Sequence, residues 1–400
     1  MYDFPIAYFN SNDGSSRLAF GDGPLIKLTE SDPLIQLQEF IVEHQGKHIL
    51  LNLSYDLKNH VENVTSLNEN YLNFPLGYVW IPKYMVELDH GHVKFVQGMK
   101  ESESIRFIEA FMEVEIDQNF EAFPHALKTR ISKDEYLLKV KAIKQEIQNG
   151  DVYEVNFCQE FFATEVNIPD PLSAYFKLNQ LTRAPYSSFF SIGDFVLFCG
   201  SPERYLKRVD NRLTSEPIKG TRKRGETSEE DAQLVEELSN DPKERAENVM
   251  IVDLVRNDLS RIALPTTVEV EELCGIYTFD TVHQMISRIA CDISPETNFT
   301  DILKATFPMG SMTGAPKLSA MKSIEKHECF QRGIYSGSIG YIKPNGNFDL
   351  NVVIRTLVYN KVSNYLSCSV GGAITIQSDP EQEYAECLVK VKRILDGMNA

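Results

Sequence analysis

The stretch SKDEYLLKVKAIKQEIQNGDVYEVNFCQEFFATEV, residues 132–166, sets the class of the fold. Ser132 stands three residues before Glu135, the spacing of a capping box, and Tyr136, Val140, Ile143 and Ile147 follow at helical spacing. Asn149 and Gly150 stop that helix. The next run, VYEVNFCQEFFATEV, is rich in β-branched and aromatic residues and reads as a strand pair or one long strand. Working outward, segments 195–199, 204–209, 334–342, 348–359 and 364–370 also read as strands, with KPNGN (343–347) as a hairpin turn. Helical patterns occupy roughly 228–240, 242–257, 298–305, 315–327 and 381–396. Strands come in hairpin-like runs between helices, without regular βαβ alternation. The expected class is therefore α+β with largely antiparallel sheets.

Composition narrows the function. The chain has 400 residues with 40 Lys+Arg against 57 Asp+Glu, a net charge of −17. That balance disfavours nucleic acid, whose phosphates need basic partners. The opening MYDFPIAYFN lacks the basic and apolar regions of a signal peptide, and no run approaches the length of a membrane span. Seven cysteines, never closer than 17 positions and never in CxxC, suggest neither a zinc site nor a disulfide framework. A reducing, cytoplasmic setting is expected. Residues 1–125 carry no chemistry that can be named and read as completing a sheet and core.

Two segments share one design. In NDPKERAEN, Asp241 caps and Pro242 opens a helix carrying Glu244 and Glu247; in SDPEQEYAEC, Asp379 and Pro380 do the same before Glu383 and Glu386. Each pair is spaced i, i+3, so its carboxylates share a helical face. Glutamates are favoured near helix N-termini by the macrodipole, yet four brought together would also bind a hard divalent cation, Mg²⁺ being the natural candidate. Lys219, in SEPIKGTRKRGE, sits at a strand exit and is either a surface lysine of a basic loop or a desolvated nucleophile. FPMGSMTGAPK (307–317) lacks the spacing of a nucleotide-binding loop and reads as a turn able to hold an anion. Alternation in FDLNVVIRTLVY puts Leu350, Val352, Ile354 and Val358 on one face and Arg355 on the other. Arg355 there is a solvated edge residue or a carboxylate clamp, with Tyr335 on the preceding strand. His283 is a satisfied core histidine or a donor in a site, and Glu203 by default a solvated glutamate beside Arg204.

Taken in order, SPERYL, PIKGTRKRG, DPKERAENVMIVDLVRNDLSR, VHQMIS, FPMGSMTGAPK, GIYSGSIGY, VIRTLV and SDPEQEYAE resemble the motifs of the chorismate-utilising enzymes, across Asp134 to Arg393. The resemblance implies two antiparallel β-sheets packed as a sandwich flanked by helices. Residues 1–125 would complete that sandwich and residues 126–396 form the chorismate-binding catalytic region, in one structural unit. It further implies Glu247 and Glu386 as direct Mg²⁺ ligands, with Glu244 and Glu383 acting through water. Tyr335 and Arg355 would hold the enolpyruvyl carboxylate, and Lys390, Ser311 and the backbone of Gly371 and Gly372 would complete the anion pocket. Glu203 would be the general acid/base at the C4 hydroxyl and His283 would orient that hydroxyl.

Lys219 in PIKGT resembles the aminodeoxychorismate synthase branch of the family, where the lysine is proposed to add at C2 before ammonia takes C4. Glu154, in GDVYEVN, stands where water-adding members need a lysine and amide-transferring members usually have glutamine. No cysteine lies in the GxCxG-type elbow of a glutamine amidotransferase, so a partner amidotransferase subunit is expected to deliver ammonia. The competing expectations are an anthranilate synthase component I and a catalytically silent chorismate-binding subunit.

Overall fold

The computed structural model describes residues 3–62, 64–114 and 127–398. Ser132 caps the helix Lys133–Asn149, its hydroxyl oxygen accepting from the Glu135 N–H, and Gly150 closes it at φ 85°. The run behind it is one strand, Glu154–Ala163, not a pair. Two antiparallel sheets result, of eleven and ten strands. The first 114 residues feed both: Ile6–Asn10 and Ser15–Phe20 join the larger sheet, Ile49–Leu53 and Gly77–Trp80 the smaller. The boundary expected at 125/126 lies outside the described residues.

The sheets meet face to face. Ala7, Ala19, Phe190 and Leu197 of the larger sheet pack with Leu50, Trp80, Ile339 and Tyr341 of the smaller in one buried cluster. Outside the larger sheet lie the helices Lys133–Asn149, Pro171–Thr182 and Pro380–Met398, anchored by Tyr136, Tyr175 and Val391. Outside the smaller lie Pro33–Glu43, Pro242–Ser260 and Phe299–Thr306, anchored by Leu37, Ile251 and Ile302. Each helix buries one apolar stripe, so the molecule is a sandwich flanked by helices. Among the described residues, no helix is long and apolar enough to cross a membrane.

One strand expectation fails in an instructive way. Segment 348–359 is not continuous: Phe348–Asn351 belongs to the smaller sheet and Thr356–Asn360 to the larger. The chain turns a corner between them, with Arg355 at φ 51°, so Leu350 and Val352 enter one core cluster and Val358 another. A second corner joins Phe195–Ser201 of the larger sheet to Arg204–Val209 of the smaller, and Glu203 lies in it. The corners are tied together: the Val352 N–H donates to the Glu203 carbonyl at 3.0 Å, and the Ser201 hydroxyl to the Val352 carbonyl at 2.6 Å. Tyr335 likewise sits in a turn, before the strand Ser338–Ile342 rather than within it.

A buried ion pair fixes the ground beside these corners. Arg332, 3% exposed, donates to both carboxylate oxygens of Glu328 at 2.9 and 2.6 Å. It also donates to the Met312 and Asn156 carbonyls at 2.8 and 2.7 Å and to the Ser336 hydroxyl at 3.1 Å. Glu328 accepts in turn from the Cys158 N–H at 2.9 Å. Removing one member of such a pair leaves an uncompensated buried charge. Arg332→Met should therefore lose roughly 3–5 kcal/mol, read as a lowered urea midpoint by fluorescence of Trp80, the single, fully buried tryptophan. Arg332→Met with Glu328→Gln should recover much of it. An unchanged midpoint for the single variant would show that the pair is not needed for stability.

Candidate active site

A cleft of about 440 Å³ opens where the two corners meet the ends of the helices Pro242–Ser260 and Pro380–Met398. Twelve of the residues expected from sequence line it: Glu203, Lys219, Glu244, Glu247, Ser311, Tyr335, Arg355, Gly371, Gly372, Glu383, Glu386 and Lys390. His283 does not.

Lys219 is the second residue of the strand Ile218–Lys223 and so enters a strand rather than leaving one. Register against Val282–Asp292 slips between Ile218 and Thr221, and this bulge carries Lys219 and Gly220 out of the ladder. A bulge re-aims a side chain, and here it turns Lys219 into the cleft. Gly220 takes φ 89°, and a Cβ on it would come within 3.2 Å of Glu244 Oε2. The Lys219 ammonium donates to Glu154 Oε1 at 2.8 Å. Burial alone would push its proton affinity down, but the Glu154 carboxylate, supported by Glu247 and Glu203, outweighs burial and holds it up. The expectation that desolvation leaves this amine neutral is thus reversed in the free protein.

Glu203 is 4% exposed, not the solvated glutamate its sequence context suggests. Burial pushes its carboxyl up to about 7, against the opposing pull of the Ser311 hydroxyl and the Lys219 charge. Ser311 donates to Glu203 Oε1 at 2.6 Å, from the short turn Gly310–Met312 that Arg332 pins. A carboxyl tuned to neutrality and facing a cleft is suited to proton transfer in either direction.

The two acidic pairs arrive on separate helices. Asp241 accepts from the N–H groups of Lys243 and Glu244, and Asp379 from that of Gln382, as the Asp-Pro caps foretell. Burial raises Glu247 to about 7 and also raises Glu383. Burial works upward on Glu386 as well, but Lys390, Lys243 and Lys219 outweigh it and hold it low. Lys243 reaches Glu247 at 3.8 Å and its charge also acts on Glu383 and Glu386, so one ammonium serves both pairs. Glu247 Oε1 is buried with no hydrogen-bond partner. These are oxygen donors with unsatisfied capacity, a set suited to a hard cation. Among the described residues, though, no three acidic, His or Cys side chains already form a group that could hold one.

Lys390 follows Glu386 by one turn on the same helix and meets the strand Tyr365–Ile374 at Gly371. Lys390 donates to the Gly371 carbonyl at 2.8 Å and pairs with Glu386 at 2.7 Å, so its helix salt bridge and its cleft position coexist. A Cβ on Gly371 would lie 3.1 Å from the Tyr335 hydroxyl, which the bare glycine lets approach the strand.

His283 is turned away. It is fully buried on Val282–Asp292, with one ring nitrogen 2.8 Å from Asp231 Oδ1 and the other 2.9 Å from the Thr278 hydroxyl. Strand alternation brings its neighbour Gln284 into the cleft instead, 1% exposed and with an unpartnered Oε1. By itself His283 read as a satisfied core histidine, which is how it stands here; the site role came from the family resemblance, and period 2 allows only one of two adjacent residues to face a site. Asn156 was also missed: its Oδ1 is buried without a partner in the same cleft. With Glu154 Oε2, four orphaned buried oxygens gather at this one place. Buried polar atoms of this kind are usually satisfied by water, an ion or a ligand.

The profile of chorismate binding enzymes matches residues 5–396. The chain belongs to the chorismate-binding enzyme family. It is 33% identical over 381 residues to aminodeoxychorismate synthase component 1 of Escherichia coli (strain K12), covering 92% of this chain and 83% of that protein. The component 1 of Klebsiella aerogenes is 39% identical over 275 residues, 69% of this chain and 60% of that one. Among solved structures, anthranilate synthase component I from Streptococcus pneumoniae TIGR4 superposes with a TM-score of 0.81 at 27% identity, covering 95% and 92% of the two chains.

The tuning of Glu203 in this chorismate-binding family member has a thermodynamic signature. Its carboxyl stays protonated in the fold up to about pH 7, while the unfolded chain releases that proton near 4.5. The native state therefore binds more protons in this window, and stability falls as pH rises through it. Glu203→Gln abolishes that slope, so it should gain about 2 kcal/mol relative to wild type between pH 5 and pH 7. Urea midpoints at the two pH values test this; parallel pH dependence of the two proteins would contradict it.

Proposed function

We infer that the chain catalyses the aminodeoxychorismate synthase component 1 reaction: chorismate and ammonia give 4-amino-4-deoxychorismate, on the route to 4-aminobenzoate and folate. The observation that carries this reading is the Lys219 amine, bulged into a cleft beside the buried Glu203. The names of the relatives agree, the Escherichia coli match covering 92% of this chain.

Chorismate brings two carboxylates and a C4 hydroxyl. Arg355 and Tyr335 hold the enolpyruvyl carboxylate, with Lys390, Ser311 and the glycine backbone completing the anion wall. Once its extra proton has passed to solvent, the Lys219 amine forms a bond to C2, the two ring double bonds shift to C1=C6 and C4=C5, and the C4–O bond breaks; the proton is regained from solvent when the amine is later expelled. Glu203 gives the leaving hydroxide its proton, so that it departs as water. Ammonia then adds at C4, the double bonds return, and the bond from Lys219 to C2 breaks. The new ammonium restores the Glu203 proton. Glu247 and Glu386, with Glu244 and Glu383 through water, would hold a Mg²⁺ ion, which would supply positive charge for the ring carboxylate.

Ammonia comes from a glutamine amidotransferase partner. The word "component" in the relatives' names supports a second subunit. Six of the seven cysteines are buried and the seventh is half-buried, poor placement for a glutaminase nucleophile. With free ammonia excluded, the pure chain should make no product from glutamine; product would argue against the partner.

Mass spectrometry of chorismate incubated with the protein, Mg²⁺ and ammonium salt tests the activity. The expected product is 4-amino-4-deoxychorismate without pyruvate, whereas anthranilate with pyruvate would move the chain to the anthranilate synthase branch. With ammonia withheld, wild type should gain the mass of a chorismate adduct that Lys219→Ala lacks. Equal product formation by both proteins would remove the covalent role. Glu247→Gln and Glu386→Gln should each abolish turnover at limiting Mg²⁺, with smaller losses for Glu244→Gln and Glu383→Gln. Full activity in either direct-ligand variant takes that residue out of the metal site.

A further inference from the structure

The cleft holds more hydrogen-bond acceptors than chorismate can use. Chorismate is a dianion whose only hydrogen-bond donor is its C4 hydroxyl, the group that Glu203 serves. Four buried oxygens nonetheless stand unpartnered in and beneath the cleft: Glu154 Oε2, Asn156 Oδ1, Glu247 Oε1 and Gln284 Oε1. Glu247 belongs to the cation site, and Glu154 is engaged by Lys219 through its other oxygen. Asn156 lies at the carboxylate end, where a Cβ on Gly371 would meet its Oδ1 at 2.9 Å and the Tyr335 hydroxyl at 3.1 Å. Gln284 is placed elsewhere. It stands on Val282–Asp292 opposite Thr221, two residues beyond Lys219, and the next residue on its face, Ile286, pairs with Ile218. Its unused acceptor therefore lies at the reacting end of the cleft, with Lys219.

We propose that Gln284 holds the second substrate, ammonia, accepting one of its N–H bonds and leaving the nitrogen lone pair free for C4. This assignment rests on the C4-amination reading and deepens it by naming where the nitrogen nucleophile waits. Ammonia carries three N–H donors and one lone pair, so a group that positions it for attack must accept. That group must also be uncharged, because a carboxylate beside ammonia favours ammonium, which has no lone pair. A carboxamide accepts without that pull and does not titrate. The terminal torsion of a glutamine is soft, so Oε1 can turn from its buried position toward an arriving donor. The adjacent His283 cannot take this part: its ring nitrogens are engaged by Asp231 and the Thr278 hydroxyl. When the ammonia lone pair forms the N–C4 bond, the double bonds return and the Lys219–C2 bond breaks. Gln284 keeps its hydrogen bond to the nitrogen throughout and neither gains nor loses a proton.

The test uses the full chain with chorismate and Mg²⁺, varying ammonium salt at fixed pH. Gln284→Met, similar in length and without the oxygen acceptor, should raise the KM for ammonia roughly five- to tenfold, the usual worth of one neutral hydrogen bond. The KM for chorismate should stay within about twofold. The Lys219 adduct formed when ammonia is withheld should appear in wild-type yield, since that step precedes ammonia. A merely structural role would move these readouts together. Gln284→Leu should repeat the result and takes the place of the methionine variant if that one does not fold. An ammonia KM within about twofold of wild type overturns the proposal, and so does a matching rise in the KM for chorismate. If wild type itself makes no C4-amino product, the functional reading fails and this inference with it. If wild type makes product and only the Gln284 expectations fail, the functional reading stands alone.

Discussion

The pairing of Arg332 with Glu328 is the constraint on which the cleft depends. Neither charge can be left without the other once the strand Glu154–Ala163 has folded over them, and that strand adds the Cys158 N–H to Glu328 and the Asn156 carbonyl to Arg332. The guanidinium's fixed fork then dictates where three other pieces of chain must lie. These are the turn carrying Ser311, the turn carrying Tyr335 and the strand carrying Glu154 and Asn156. Each delivers a residue to the cleft, so a group that touches no cleft surface sets the distances between groups that do.

The second determinant is topological. Strands that leave one sheet and enter the other must turn, and a turning chain cannot pair its backbone along both ladders at once. The polar groups released at the two corners bind each other, and the side chains freed from alternation at those points are Glu203 and Arg355. A sandwich thus acquires polar residues at its rim without opening its core.

How much of this could be read from the chain follows from the range of the forces involved. The capped helix Lys133–Asn149 and the Asp-Pro starts of both acidic helices are local, set by residues within one turn of each other, and they stand in the structure as read. Lys219 was visible as an odd lysine after proline, but its partner Glu154, which holds its proton affinity up, lies 65 positions away in sequence. Arg355 was found by its type, although the strand assumed to display it does not exist. His283 was placed in the site by resemblance alone, where Gln284 had the geometry. Arg332 gave no signal at all: an arginine among HECFQRG looks like surface until the fold wraps it.

The acidic helices ride on opposite sides of the sandwich. Pro242–Ser260 is seated through Ile251 on the smaller sheet and Pro380–Met398 through Val391 on the larger. Their carboxylates therefore share no rigid body shorter than the whole stack of layers. The gap between Glu247 and Glu386 works as a gauge of how one sheet is rotated against the other, with the helices as its two pointers. Repacking the inter-sheet cluster around Trp80, none of whose members the acidic helices supply, would move that gauge while leaving each helix and each cap as it is.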